Sequence, residues 1–274
     1  MTTMTTKDGL DLRVRADDPA SAPRARVVLV HGIGDQVDSV PYVTAAAALT
    51  ARGFAVRRLE LRGHGLSAGR RVYVEAWSDF RDDLRIFVAQ VAAELPSLPV
   101  FLAGVSMGGL IVTNYAAYRP EGLRGVVALA PALGETGGSR FLLALLPVLS
   151  RLAPALPINP NLDLSRLTRD PELQRAYVAD PLYQTRVTPR IAAELVKAVA
   201  DTRARAPEFR VPLLVLHGTA DTVTSPAGSR EFFECAGAGD KTYRSYEGAY
   251  HNLLAETNRE EIYDDMAAWM NARA

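Results

Sequence analysis

The stretch that decides the fold is GVSMGG, residues 104–109. It follows the apolar run VFLA at 100–103 and precedes LIVTNY at 110–115, so we expect a strand before it and a helix after it. A G-x-S-x-G turn between a strand and a helix is typical of a nucleophile elbow, which exposes a serine hydroxyl. Glycines suit positions 104 and 108 because larger side chains would collide with the neighbouring strand and helix. We therefore predict that Ser106 is a nucleophile.

A serine hydroxyl is a weak nucleophile and needs a general base. In chains with this elbow, the acid and then the histidine follow the serine. Of the four histidines, only His217 and His251 lie beyond Ser106. His217 ends an apolar run and precedes a glycine, which favours a structural role at a strand end. His251 lies in a loop before the final helical stretch, so we predict that it is the general base and acid.

Asp221 is the predicted acid, because it directly follows the apolar run at 213–216 and precedes His251. Its role would be to accept the ring N–H of His251 and to stabilise the imidazolium. Asp240 and Glu247 are rivals by position. Asp240 opens a predicted strand, which favours a role in a turn.

A second glycine-containing loop, HGIGD at 31–35, follows the first buried run. Such a loop supplies one backbone N–H to an oxyanion hole, and the residue after the nucleophile supplies another. We predict that the N–H groups of Ile33 and Met107 form this hole. His64, in RGHGLS at 62–67, has no acid placed for it and is predicted to be structural.

Short apolar runs alternate with longer amphipathic stretches along the chain, which predicts a mostly parallel sheet flanked by helices. The run ending at Leu129 and the run beginning at Leu213 are separated by 83 residues, far more than one crossover helix needs. We predict a helical cap at 131–205, after the sixth strand, and a core made of 1–130 and 206–274. The cap contains an apolar run at 141–149. This run either packs on the cap's own helices or faces outward and docks on micelles or membrane.

The composition excludes several classes of protein. Lys plus Arg and Asp plus Glu are 31 each, so the basic excess of a nucleic-acid binder is missing. The single cysteine excludes an intramolecular disulfide and a cysteine-based zinc site. The first 13 residues are polar, unlike a secretory signal. We expect a cytoplasmic protein with no metal and no organic cofactor, which becomes peripheral to membranes if the cap docks on them.

Taken together, these motifs resemble the α/β-hydrolase superfamily and, within it, the monoacylglycerol lipase and lysophospholipase group of serine aminopeptidase-like hydrolases. The resemblance covers nearly the whole chain. Its motifs are HGIGD (31–35), RGHGLS (62–67), GVSMGG (104–109), DPL (180–182), HGTAD (217–221) and YH (250–251). GLSAGRR at 65–71 and WSDF at 77–80 are the more subgroup-specific part.

The resemblance implies an α/β-hydrolase fold with Ser106, Asp221 and His251 as catalytic triad and Ile33 and Met107 as oxyanion hole. It implies a serine ester hydrolase that cleaves a lipid ester with one acyl chain, with monoacylglycerol as the favoured substrate. The alternatives within enzymes are a lysophospholipase and a general carboxylesterase. From another class, the chain could be a non-catalytic ligand-binding protein on a hydrolase scaffold.

Overall fold

The computed structural model describes residues 2–134, 140–160 and 162–274, with the side chains of 140–144 outside that description. Within these ranges, eight strands form a single sheet. In chain order the strands are β1 (Thr3–Thr5), β2 (Asp11–Asp17), β3 (Ala25–Val30), β4 (Phe54–Leu59), β5 (Val100–Val105), β6 (Leu123–Leu129), β7 (Leu213–Gly218) and β8 (Lys241–Tyr246). The α-helices of the same ranges are α1 (Val40–Ala51), α2 (Trp77–Glu94), α3 (Met107–Ala117), α4 (Arg140–Leu152), α5 (Pro171–Ala179), α6 (Pro189–Ala204), α7 (Pro226–Cys235) and α8 (Arg259–Asn271).

The strand order is β1-β2-β4-β3-β5-β6-β7-β8. Every pair from β4 to β8 is parallel, whereas β2 runs antiparallel to both β1 and β4. The prediction of a mostly parallel sheet is therefore confirmed. The short strand β1, which the sequence did not predict, lies outside β2 at the sheet edge.

Helices cover both faces of the sheet, which explains why its central strands are almost continuously apolar. Successive side chains of a strand point to opposite faces. Leu102 of β5 accordingly packs in one core with residues of α2, α3, α6 and α7. Phe101, its neighbour, packs in the other core with residues of α1 and α8. The result is a three-layer α/β/α arrangement.

The segment between β6 and β7 contains α4, α5 and α6. α6 packs against α3 and places Ile191 in the same core as Leu110. A third and smaller apolar cluster forms around Leu167 and Tyr177, above the main cores. The extent of the cap, 131–205, stays a prediction, and residues 135–139 and 161 within it lie outside the described residues.

The apolar run predicted at 141–149 falls within α4. For the residues whose side chains are described, Leu146 is buried, whereas Leu145 and Val148 are exposed. One side of α4 therefore faces the protein and another faces outward. At 13 residues the helix is shorter than the ~20 needed to cross a bilayer. No helix in the described ranges is both long and apolar enough to span a membrane.

Candidate active site

Ser106 stands between the end of β5 and the first turn of α3. Its φ of 56° and ψ of −118° are values that a residue with a side chain rarely adopts, and such strain is typical of functional turns. Neighbouring backbone holds this conformation. Ser106 N–H donates to Leu129 O at 3.0 Å, and Ser106 O accepts from Ala132 N at 3.1 Å.

The two glycines of the turn permit the close packing on which it depends. A Cβ at Gly104 would lie 2.4 Å from Gly108 O, and a Cβ at Gly108 would lie 2.4 Å from the carbonyl oxygens of Val30 and His31. Any side chain at either position would push α3 away from the strands. The collision expected from the sequence is therefore confirmed.

Asp221 and His251 come from the loops that follow β7 and β8, at the same edge of the sheet as Ser106. His251 Nδ1 donates to Asp221 Oδ2 at 2.8 Å, and both side chains are buried. The other carboxylate oxygen, Oδ1, accepts from the N–H groups of Val223 at 2.7 Å and Thr224 at 3.1 Å. Because Nδ1 of His251 carries the hydrogen in this contact, Nε2 is left as the acceptor on the opposite side of the ring.

Burial by itself raises the pKa of the Asp221 carboxyl, because it disfavours the charged form. The rings of His251 and His217 more than offset this, through charge and hydrogen bonds, and hold the pKa of Asp221 well below its usual range. Asp221 is therefore ionised at neutral pH, and it can stabilise a positive charge on His251.

Ser106, His251 and Ile33 line one pocket at this edge. No hydrogen bond joins Ser106 Oγ to His251 among the residues that the structure describes. Such contacts are often long in unliganded enzymes and shorten when substrate binds. The pocket wall also includes Leu167 and Tyr177 of the small apolar cluster, so part of this wall is apolar.

The backbone near Ser106 includes two candidate hydrogen-bond donors. Met107 is the first residue of α3, and the first N–H groups of a helix have no intrahelical acceptor. Gly32 lies against Ser106, since a Cβ on it would be 3.3 Å from Ser106 Cβ. The next N–H, that of Ile33, has no acceptor within the described ranges. Two unsatisfied N–H groups of this kind can stabilise an oxyanion.

The loop that carries Ile33 is fastened to the segment between β6 and β7. Gln184 N–H donates to Gly34 O at 2.8 Å, and Gln36 Nε2 donates to Asp180 Oδ2 at 3.0 Å. These bonds connect the position of the Ile33 N–H to residues that lie about 150 positions later in the chain.

Two further residues of the site were not found from the sequence. His217, predicted to be structural at the end of β7, also donates from Nε2 to Asp221 Oδ2 at 3.0 Å. The only sign of this contact in the sequence is that His217 precedes Asp221 by four residues. His64, by contrast, is fully buried and hydrogen-bonds Arg62 O at 2.9 Å, consistent with the structural role predicted for it.

Asp35 is the second residue that was missed, and it lines the same pocket as Ser106. Its burial raises the pKa of the carboxyl to about 7, against the opposing hydrogen bond from Gln36 N–H. Burial also raises the pKa of Tyr177 and Tyr183, which lie in the same pocket wall. A carboxyl that is partly protonated near neutrality can both donate and accept a hydrogen bond.

Comparison with known proteins gave a consistent result. The family model described as Serine aminopeptidase, S33, matches residues 21–258. The chain is 36% identical over 254 residues to the monoacylglycerol lipase of Mycolicibacterium smegmatis, covering 92% of this chain and 90% of that protein. It is 31% identical over 271 residues to the monoglyceride lipase of Homo sapiens, covering 97% and 88%. The crystal structure of the Paleococcus ferrophilus monoacylglycerol lipase aligns with a TM-score of 0.85 at 32% identity, covering 96% and 99%.

Proposed function

The chain belongs to the serine aminopeptidase (S33) family of hydrolases, and from that premise we propose that it hydrolyses monoacylglycerol to glycerol and a fatty acid. It is a carboxylic ester hydrolase on the α/β-hydrolase fold. The observation that carries the proposal is the buried Asp221–His251 pair, of which His251 lines the same pocket as the strained Ser106.

In the proposed mechanism Ser106 Oγ attacks the ester carbonyl carbon while His251 Nε2 takes its proton. Asp221 fixes the ring orientation and stabilises the imidazolium. The oxyanion accepts hydrogen bonds from the N–H groups of Ile33 and Met107. His251 then gives its proton to the leaving glycerol oxygen, and an acyl-enzyme remains on Ser106. Water, deprotonated by His251, attacks this ester in the same way and releases the fatty acid.

The lining of the pocket includes groups that suit each of the two parts of a monoacylglycerol. Leu162, Leu167 and Val223 give an apolar wall that can pack against an acyl chain. Asp35 gives a polar group on the same pocket, and its carboxyl can hydrogen-bond the hydroxyl groups of the glyceryl part. This pairing of an apolar wall with a buried carboxyl supports an uncharged, hydroxyl-bearing lipid ester.

A lysophospholipid is the second candidate substrate, and one contact favours it. Arg166 donates to Tyr250 Oη at 3.2 Å, and its guanidinium lies 4.7 Å from the centre of the Tyr250 ring. Tyr250 directly precedes His251, so this cation lies near the proposed catalytic residues. Within the described ranges no carboxylate pairs with Arg166, which leaves it available to a phosphate group.

Access to an amphiphilic substrate is the role that we assign to α4. Leu145, Val148 and Leu152 follow the helical spacing of three and four residues, and their exposed fractions are 38%, 51% and 81%. An outward apolar stripe of this kind can contact a membrane or a micelle and bring the enzyme to its substrate.

The experiment that tests the substrate is a steady-state series of kcat/KM values on the purified chain. The substrates are monoacylglycerol, lysophosphatidylcholine and p-nitrophenyl esters with short and long acyl chains. We expect monoacylglycerol to give the highest kcat/KM. A higher value for lysophosphatidylcholine would favour the second candidate, and turnover of short esters alone would contradict both lipid substrates.

A further inference from the structure

One carboxylate oxygen of Asp221 serves two histidines. Oδ2 accepts from His251 Nδ1 at 2.8 Å and from His217 Nε2 at 3.0 Å. Thr224 Oγ1 lies 2.9 Å from the same oxygen and 3.0 Å from Ala130 O, and it has one hydrogen to share between them. Asp221 is therefore more extensively hydrogen-bonded than its partnership with His251 requires.

The surroundings of His217 fix the direction of this contact. Its side chain and that of Asp221 are both fully buried. On the far side of the ring, Nδ1 lies 3.0 Å from Ser229 Oγ in α7, and that hydroxyl has one hydrogen to share between Nδ1 and Pro131 O, 3.3 Å away. An ionised carboxylate only accepts hydrogen bonds, so the ring nitrogen that faces Asp221, Nε2, carries a hydrogen and donates it.

We propose that His217 is a positioning residue that draws on the acceptor capacity of Asp221 and so limits how strongly Asp221 holds the proton of His251. The inference rests on the proposed function, because His251 matters here as the base for Ser106. A carboxylate that accepts more hydrogen bonds stabilises each donor less, since its charge is spread over all of them. Loss of the His217 N–H should therefore strengthen the hydrogen bond from His251 Nδ1 to Asp221.

Other charged and titratable groups near the site could also influence the protonation of His251, and the test has to distinguish them from His217. Asp35 lines the same pocket and has its own pKa of about 7. On the loop side, Arg166 contacts Tyr250, and the buried carboxylate of Glu256 pairs with Arg169. The tyrosines of the pocket, Tyr42, Tyr177 and Tyr183, have raised pKa values and stay neutral. In β8, Arg244 pairs with Leu216, the residue before His217. In α7, Arg230 and Glu231 directly follow Ser229, which contacts the His217 ring.

The test removes the His217 N–H by substitution and measures the titration midpoint of His251. In His217→Leu the N–H is lost, so the titration midpoint of His251 should rise by roughly half to one pH unit. NMR of ¹⁵N-labelled histidine observes only histidine side chains, so it gives this midpoint separately from the titration of Asp35. The chain has only four histidines, so few signals have to be told apart. The acidic limb of the kcat/KM profile should move by the same amount, with KM unchanged. His217→Gln keeps an N–H near the position of Nε2 and should return both midpoints to the wild-type value.

Ser229→Ala is the matched control, because it removes the bond at the far side of the His217 ring and leaves the bond to Asp221. It should leave the His251 midpoint unchanged. An unchanged or lowered midpoint in His217→Leu would overturn the inference, as would an equal shift in Ser229→Ala. If His217→Leu does not fold, a raised midpoint in His217→Gln would also overturn it. The proposed function is judged separately, by turnover of the wild-type chain.

Discussion

At the scale of single residues, the site contains groups whose environment costs stability. The backbone conformation of Ser106 costs on the order of 1–3 kcal/mol, which the surrounding backbone bonds offset. Asp35 is a carboxyl in a buried wall, where its charged form is disfavoured. Both features are typical of functional sites, where stability is given up for chemistry.

Asp35 gives a prediction about stability and pH. Its pKa is raised from 3.8 to about 7 in the folded chain, so its contribution to stability is fully present below about pH 4 and is lost as the pH rises through about 7. The asparagine in Asp35→Asn cannot ionise, so this variant does not lose stability through residue 35 as the pH rises. Between pH 5 and pH 8, the free energy of unfolding of Asp35→Asn should therefore gain roughly 2–3 kcal/mol relative to wild type. Urea unfolding at the two pH values measures this gain, and a difference independent of pH would contradict it.

The residues of the site differ in how far sequence reasoning could find them. Asp221 follows a short apolar run and His251 lies in the loop before the final helix, in a recognised order, and the structure does join them by a hydrogen bond. Asp35 is buried in a pocket that it shares with Tyr177 and Tyr183, which come from a distant part of the chain. Its raised pKa therefore follows from tertiary packing, which no local pattern in the sequence encodes.

At the scale of elements, the buried strands were the most predictable part. β3, β5 and β7 are mostly apolar on both faces. Each therefore appears in the sequence as a nearly continuous apolar run, which can be recognised without knowing which strand it pairs with. β1 has three residues, of which one is buried, and it has too little pattern to predict. α6 could be recognised as a helix by its spacing, but its packing against α3 could not. α6 also packs against α4 of the predicted cap, so the extent of the cap stays a prediction.

The outward stripe of α4 gives a prediction about lipid association. Replacing Leu145, Val148 and Leu152 by Ser should weaken binding to phosphatidylcholine vesicles by roughly tenfold or more, because three exposed apolar side chains are lost. Turnover of a water-soluble p-nitrophenyl ester should change little. Vesicle sedimentation measures the binding.

Leu95→Ser is the control for this experiment. Leu95 is 39% exposed and follows α2, at the end of the sheet opposite to the site. It should leave vesicle binding as it is in wild type. Equal binding by the triple variant and wild type would show that α4 does not dock on lipid.

At the scale of the whole molecule, the strand order explains how residues far apart in the sequence form one site. The loops after β3, β5, β7 and β8 all leave the same edge of the parallel sheet, as expected for ligand sites in such folds. The sequence could predict this edge because it needs only the alternation of strands and helices. The arrangement of the segment above the edge depends on contacts such as Gln36 with Asp180, which have no local signature.

Ser106 is the proposed nucleophile that carries the acyl group, and every step of the proposed mechanism depends on it. The most direct measurement is rapid quenching of the enzyme with monoacylglycerol, followed by mass spectrometry of its peptides. We predict a mass increase of one acyl chain on the peptide that contains Ser106, and no acylation and no turnover in Ser106→Ala. Turnover that persists in Ser106→Ala, or an acyl group on another residue, would contradict the account.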